Sequence, residues 1–212
     1  MPTVWPFERH TARYEAWFER HPYAHRSELR SLRSLCPNST GRALEIGVGT
    51  GRFAVPLGFG VGVDPSTAAG KIAQGRGIDV VAGVAEALPF QDAQFADVLM
   101  VTAICFVDDL LDSCREAHRV LQPGGRFLIG FVDRESPLGQ RYQRQRDENV
   151  FYREATFYST EEVLRRLDEA GFGDTVIRQT IFRPLDEITE MEPVTNGYGE
   201  GSFVALKAEK PC

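Results

Sequence analysis

An α/β fold built on a doubly wound, mostly parallel sheet is predicted by three observations. Five short apolar runs recur between residues 43 and 132, each is followed by a polar or helix-compatible stretch, and the first run opens directly into a glycine-rich loop. The runs are ALEIG (43–47), GVGVD (60–64), IDVVA (78–82), ADVLMV (96–101) and RFLIGFV (126–132). Their apolar residues are consecutive rather than alternating, which marks strands covered on both faces.

Ahead of the first strand, residues 8–35 are charged and aromatic. Phe7, Tyr14, Trp17, Phe18, Leu29, Leu32 and Leu35 are spaced as on one or two amphipathic helices interrupted at His21-Pro22. A helix is predicted over 108–120, acidic at its start, with Arg119 near its end and a Pro123-Gly124-Gly125 turn beyond. Another spans 159–170, capped by Ser159 or Thr160 with Glu162 near the capping-box position, and ends at Gly171. Two strands follow, at 175–182 and 202–208. Only a loop separates them, so they are expected to form an antiparallel pair at one sheet edge.

A chain of 212 residues, 42% hydrophobic and 25% charged, fits one domain with a real core and excludes disordered, collagen-like and coiled-coil classes. The balance of 24 Lys+Arg against 30 Asp+Glu, a net charge of -6, argues against a nucleic-acid partner. No apolar run approaches the roughly 20 residues of a membrane helix. The stretch MPTVWPFERHTARYEAWFERH has neither an apolar signal core nor a small-residue cleavage site, so a cytoplasmic protein is expected. Cys36, Cys105, Cys114 and Cys212 are scattered, with no C-x-x-C pair and no nearby His. They predict neither a metal site nor a disulfide framework, and read as reduced thiols, most of them buried. The oligomeric state is left open.

The sharpest feature is LEIGVGTGRF, residues 44–53, a strand running into Gly47-Val48-Gly49-Thr50-Gly51. Such a loop at the carboxyl end of the first strand lets a ligand approach the backbone at the crevice of an open sheet. A dinucleotide fingerprint would need its third glycine at position 52, which is Arg52, so nicotinamide binding is disfavoured. Asp64 ends the second strand, before Pro65-Ser66. A carboxylate there can accept hydrogen bonds from both hydroxyls of a ribose, or it can simply cap a turn.

With these residues in hand, the chain resembles the class I S-adenosylmethionine-dependent methyltransferases, and within them the small-molecule branch that includes the quinone-biosynthesis enzymes. The resemblance rests on LEIGVGTGRF, GVDPS (62–66), GVAEALPFQDAQFADVLM (83–100) and REAHRVLQPGGRFLIG (115–130), and RHTARYEAWF (9–18) looks like that branch's aromatic lid helix. It implies a seven-stranded Rossmann-like sheet in a single domain. Residues 1–40 would form a helical lid, 41–132 the cofactor core, 133–158 an acceptor-pocket insert, and 159–212 a final helix and strand pair. It also implies S-adenosyl-L-methionine as cofactor, S-adenosyl-L-homocysteine as product and a small-molecule methyl acceptor as partner. By the same resemblance Gly47, Gly49, Thr50 and Gly51, supported by Glu45, lie beside the amino-acid part of the cofactor. Asp64 with Pro65 and Ser66 takes the ribose, and Thr102 lies near the methyl group. The family's adenine-binding acid is replaced by Val84, which leaves the backbone around Ala85 and Glu86 to meet the base. Tyr14 matches a lid tyrosine that reaches the cofactor carboxylate, and reads equally as a core aromatic.

A methyl sulfonium carries its own leaving group, so holding the acceptor in line is the main task, worth roughly 7–11 kcal/mol. No dedicated nucleophile, metal or catalytic residue is visible. Thr102-Ala103-Ile104-Cys105-Phe106-Val107 is mostly apolar, and Cys105 reads as a small buried thiol rather than a nucleophile. Cys105, Phe106, Arg134, Tyr142 and Tyr158 are the candidate acceptor contacts. In the segment 138–158, Tyr142, Phe151, Tyr152, Phe157 and Tyr158 suit a flat or cationic acceptor, whereas Arg141, Arg144, Arg146 and Arg153, with Arg134 just before it, suit an anion. The acidic, glycine-rich stretch 190–201 either borders the pocket or only turns the chain. A catalytically silent cofactor-binding or interaction protein on the same fold is the alternative function, which Val84 and the apolar segment after the fourth strand favour.

Overall fold

The computed structural model describes residues 4–36 and 42–212, so the boundary expected at 40/41 lies outside the described residues. Three helices come first: α1 (Trp5–Arg9), α2 (Thr11–Arg20) and α3 (Pro22–Leu35). One more helix is present than the periodicity indicated, because His10 breaks the run between α1 and α2 while Pro22 starts α3. Next come β1 (Ala43–Ile46), α4 (Ala54–Leu57), β2 (Val61–Asp64), α5 (Thr67–Gly75), β3 (Asp79–Ala82) and β4 (Phe95–Val101). The chain closes with α6 (Leu110–Val120), β5 (Leu121–Val132), α7 (Pro137–Arg144), α8 (Thr160–Glu169), β6 (Gly173–Thr180), β7 (Thr195–Asn196) and β8 (Phe203–Glu209).

The strand order is β3-β2-β1-β4-β5-β8-β6-β7, parallel from β3 to β5 and antiparallel beyond. The expected sheet is thus present, with an eighth strand: two residues of the loop between the last long strands pair with β6. The Pro123-Gly124-Gly125 turn expected after α6 is instead the first part of β5. Gly124 N donates to Lys210 O and Lys210 N to Gly125 O, both at 2.9 Å, and Gly124 takes φ +72°.

Alternate side chains along each strand supply two cores, one on each face of the sheet. Val98, Met100, Phe127, Ile129, Val204 and Leu206 pack with Cys114, Ala117, Val163 and Leu167 from α6 and α8. Leu99, Val101, Leu128, Phe203 and Ala205 pack with Phe18 and Leu32 from α2 and α3. Two covered faces require apolar residues at every position, which is why the runs are continuous.

Local chemistry fixes the helices that shape the crevice. Asp109 caps α6 by accepting from Leu111 N (2.8 Å) and Asp112 N (3.1 Å), and α8 starts with a full capping box between Ser159 and Glu162. Arg119 and Glu116 of α6 bind the segment between β3 and β4: Arg119 donates to Phe90 O (2.8 Å) and Leu88 O (3.0 Å), and Glu116 accepts from Leu88 N (2.7 Å). The acidic stretch 190–201 is more than a turn, since Glu192 is buried, accepts from Phe182 N (2.7 Å) and Arg183 Nε (2.6 Å), and its N–H donates to Ser27 Oγ (2.9 Å) of α3. Of the four cysteines only Cys114 is fully buried; Cys36 and Cys105 are half-buried and Cys212 is exposed.

Candidate active site

The chain runs outward from β1 through β2 to β3, then returns to the opposite side of β1 as β4. At that switch point the carboxyl ends of the strands diverge and leave a crevice. A cavity of about 450 Å³ lies there. Its floor is Ile46 at the end of β1 and Gly47 after it, Asp64 at the end of β2, Gly83 to Glu86 after β3, Met100 to Phe106 along and after β4, and Phe131 and Val132 of β5.

The glycines fit this floor for steric reasons. Gly47 and Gly49 line the cavity with φ of +67° and +51°, and a Cβ on Gly47 would stand 2.5 Å from Ala103 Cβ. Gly62 acts from below, because a Cβ there would meet Val48 side-chain atoms at 2.6–2.8 Å. Thr102, a non-glycine residue at φ +52°, is held by its N–H to Gly130 O at 2.7 Å.

Asp64 is aimed by the backbone: its Oδ2 accepts from Gly49 N at 2.7 Å and its Oδ1 from Ser66 N at 2.8 Å. Burial raises its pKa, and those two N–H groups counter part of the rise. Beneath the loop, Glu45 is 2% exposed and its Oε2 lacks a hydrogen-bond partner among the described residues. Burial pushes its carboxyl well above the usual range.

The N-terminal helices roof the cavity. Tyr14 stands over the loop, its hydroxyl 3.6 Å from where a Gly49 Cβ would be, and burial followed by the nearby Glu45 raises its pKa. Phe7 meets Phe106 at 4.8 Å and Phe151 at 5.3 Å between ring centroids, joining α1 to the segment after β4 and to the insert. Two carboxylates tie the roof down. Glu8 accepts from Ser66 Oγ (2.6 Å) and Ala68 N (3.1 Å) at the start of α5. Glu15 takes Thr50, Arg52 and Arg76, with Arg76 Nη2 at 2.6 Å. Arg52, which occupies the third-glycine position of a dinucleotide loop, belongs to this clamp and also covers the Phe18 ring at 5.1 Å.

Among the residues predicted from sequence, Tyr14, Gly47, Gly49, Asp64, Pro65, Ser66, Ala85, Glu86 and Thr102 line the cavity together with Cys105, Phe106, Tyr142 and Tyr158. Glu45, Thr50 and Gly51 do not: Thr50 faces Glu15, and a Cβ on Gly51 would meet Ile78 at 2.5 Å. Glu86 lines the wall with its carboxylate engaged, accepting from Asp108 N at 2.6 Å. Arg134 is off the cavity, paired with Glu162 at 2.8 Å and Glu135 at 3.0 Å, because the capping-box glutamate of α8 draws it away. The Cys105 thiol donates to Thr102 O (3.2 Å), and burial pushes it up to about 12, which suits a spectator rather than a nucleophile.

Sequence reasoning missed Glu28. It is 5% exposed and lines the cavity from α3. Its signal was positional: Ala24, Glu28, Leu32 and Leu35 share the buried stripe of that helix, so a carboxylate falls where an apolar side chain belongs.

A glycine loop, a backbone-held acid at the next strand end and a roofed cavity at the switch point define a cofactor-dependent α/β enzyme. Residues 44–129 match the Methyltransf_11 family, described as a methyltransferase domain. A crystal structure from Thermotoga maritima, described as a SAM-dependent methyltransferase and possible histamine N-methyltransferase, superposes with a TM-score of 0.93. It is 48% identical over 96% of this chain and 97% of its own. The uncharacterized protein MJ1123 of Methanocaldococcus jannaschii is 42% identical over 96% of this chain and 98% of its own. A demethylmenaquinone methyltransferase of Roseiflexus castenholzii is 44% identical over 42% of each chain. The chain belongs to the S-adenosylmethionine-dependent methyltransferases. It is an enzyme of that family, S-adenosylmethionine is its cofactor, and no helix among the described residues is long and apolar enough to cross a membrane.

Proposed function

We propose that the protein transfers a methyl group from S-adenosylmethionine to a small-molecule acceptor, chiefly by positioning. The observation that carries this reading is Asp64. Two backbone N–H groups hold its carboxylate at the cavity wall beside Gly47 and Gly49, and a carboxylate has about four acceptor sites, so two are left for vicinal hydroxyls. Asp64, with Pro65 and Ser66, takes the ribose. Gly47 and Gly49 admit the amino-acid end beneath Tyr14. Glu45, Thr50 and Gly51 support the loop from behind instead of touching the ligand. Val84 leaves the base to the backbone of Ala85 and Glu86, since the Glu86 carboxylate is engaged elsewhere.

When bound, the cofactor supplies an electrophilic methyl on a sulfonium. This chain's residues orient the acceptor and exclude water, which is where rate is gained when no covalent catalyst takes part. Phe7, Phe106 and Phe151 close the roof, and Tyr142, stacked on Tyr152 at 4.3 Å, walls the acceptor end with Tyr158.

Calorimetric titration with S-adenosylmethionine and S-adenosylhomocysteine, with NADH as control, tests the assignment. Asp64→Ala should weaken binding of both sulfur compounds by roughly 10–100-fold, the worth of hydrogen bonds to a charged group. Unchanged affinity would reject the ribose assignment.

A further inference from the structure

Glu28 is a carboxyl that the fold leaves unanswered. It is 95% removed from solvent, being 5% exposed, and it borders the cavity. Among the described residues no hydrogen-bond donor and no cation reaches its carboxyl; only its backbone carbonyl is used, by Ser31 Oγ at 2.7 Å. Burial alone raises it to about 8. A buried charge without a partner is destabilising, and a leucine would complete the α3 stripe at lower cost. The side chain therefore suits a ligand better than it suits the apo fold.

Its surroundings say which ligand. Glu28 shares the cavity lining with Tyr14 at the glycine-loop end and Tyr142 in the insert, and its charge acts on both. Both phenols are raised well above their ordinary value, by burial first, and stay neutral. The arginines of the lining each have a partner. Arg141 lies 3.7 Å from Asp186, the guanidinium of Arg13 covers the Phe151 ring at 5.9 Å, and Arg20 Nε donates to Ala16 O. Burial lowers the pKa of His21, the remaining basic group of the lining, and favours its neutral form. A buried carboxyl among neutral aromatic faces gains its charge beside a cation, so it favours a cationic acceptor and disfavours an anionic one.

We propose that Glu28 is the acceptor-binding carboxylate and that the acceptor is a small amine, arriving as an ammonium ion that hands one proton to Glu28. This deepens, and rests on, the methyl-transfer reading above. On binding, Glu28 releases its own proton to solvent and pairs as a carboxylate with the ammonium; in the reacting complex one ammonium proton then passes to that carboxylate and frees the nitrogen lone pair. That pair forms the new N–C bond to the methyl carbon as the C–S bond breaks, its electrons remaining on sulfur as a neutral thioether. The product is a methylated ammonium, and the Glu28 proton leaves with solvent exchange.

The test uses full-length protein saturated with S-adenosylhomocysteine, so that a failed cofactor site and a failed acceptor site are told apart. The probes are 2-phenylethylamine and a panel of aryl and alkyl primary amines of about ten heavy atoms or fewer, each with its alcohol and carboxylate isosteres. Binding is read by calorimetry, and the ionisation of Glu28 by carbon NMR of glutamate-labelled protein, its resonance assigned by loss in Glu28→Gln. The expected result is amine binding at least tenfold tighter than the isosteres and ionisation of Glu28 on amine addition. A tenfold or larger loss of amine affinity in Glu28→Gln is also expected, with S-adenosylhomocysteine affinity unchanged. Loss of S-adenosylhomocysteine binding by the wild type would overturn the cofactor reading itself. Normal S-adenosylhomocysteine binding with no amine preference across the panel, or amine binding that survives Glu28→Gln, would overturn the role of Glu28 alone.

Discussion

Replacing Glu15 with glutamine should unfasten the roof without leaving a hole. The isosteric amide removes one charge from a cluster in which Glu15 answers Arg52, Arg76 and the Thr50 hydroxyl, and so cuts the tie between α2 and the glycine loop. Burial would push the Glu15 carboxyl up, but hydrogen bonds from Arg76, Arg52 and Thr50 outweigh it and hold the pKa at about 2, against an ordinary 4.5. A drop of that size equals about 3 kcal/mol for a fully shielded group. Arg52 and Arg76 keep 26% and 30% of their side chains in solvent, so screening reduces the figure to about 1–2 kcal/mol. A lowered carboxylate pKa gives stability that is present above pH 4.5 and lost as pH falls toward 2. Urea unfolding of wild type and variant at pH 7 should therefore differ by about 1–2 kcal/mol, and the difference should shrink between pH 4.5 and 2. The variant should also bind S-adenosylhomocysteine more weakly, since Thr50 lies within the loop. Equal stabilities at pH 7, or a gap independent of pH, would refute the claim that the charge cluster fastens the roof.

Gly62→Ala should cost about 1–3 kcal/mol in thermal or urea unfolding, because its Cβ would overlap Val48; adding Val48→Ala should recover much of that loss, and additive effects would place the strain elsewhere. His25 packs between Phe18 and Phe53 with Nε2 3.1 Å from Arg52 O, and burial lowers its pKa to about 4. The unfolded chain takes up that proton first, so wild type should lose stability as pH falls from about 6.5 to 4, by about 2–3 kcal/mol at most. His25→Gln should flatten that stretch of the pH profile, and an unchanged slope would show that another group controls it.

The parts of this protein that are legible in sequence depend on neighbours in the chain. The five strands declare themselves because burial on two faces demands consecutive apolar residues, and the cap of α8 because a side chain reaches a backbone N–H three positions on. Asp64 was legible in the same way, through its place at the end of a strand beside the glycine loop. Arg134 misled for the complementary reason: its type suggested a ligand, and its partner Glu162 lies 28 positions away.

Sequence alone thus determined the sheet, the family and the glycine loop, all of which follow from short-range pattern and spacing. Only the tertiary structure decided which charges are answered. Glu15 and Glu28 both lie on the N-terminal helices and differ little as residues. Packing brings Arg52 and Arg76 to the first and a cavity wall to the second. The energy of a carboxylate is set by what surrounds it in space, so one becomes a clamp and the other stays open for a ligand.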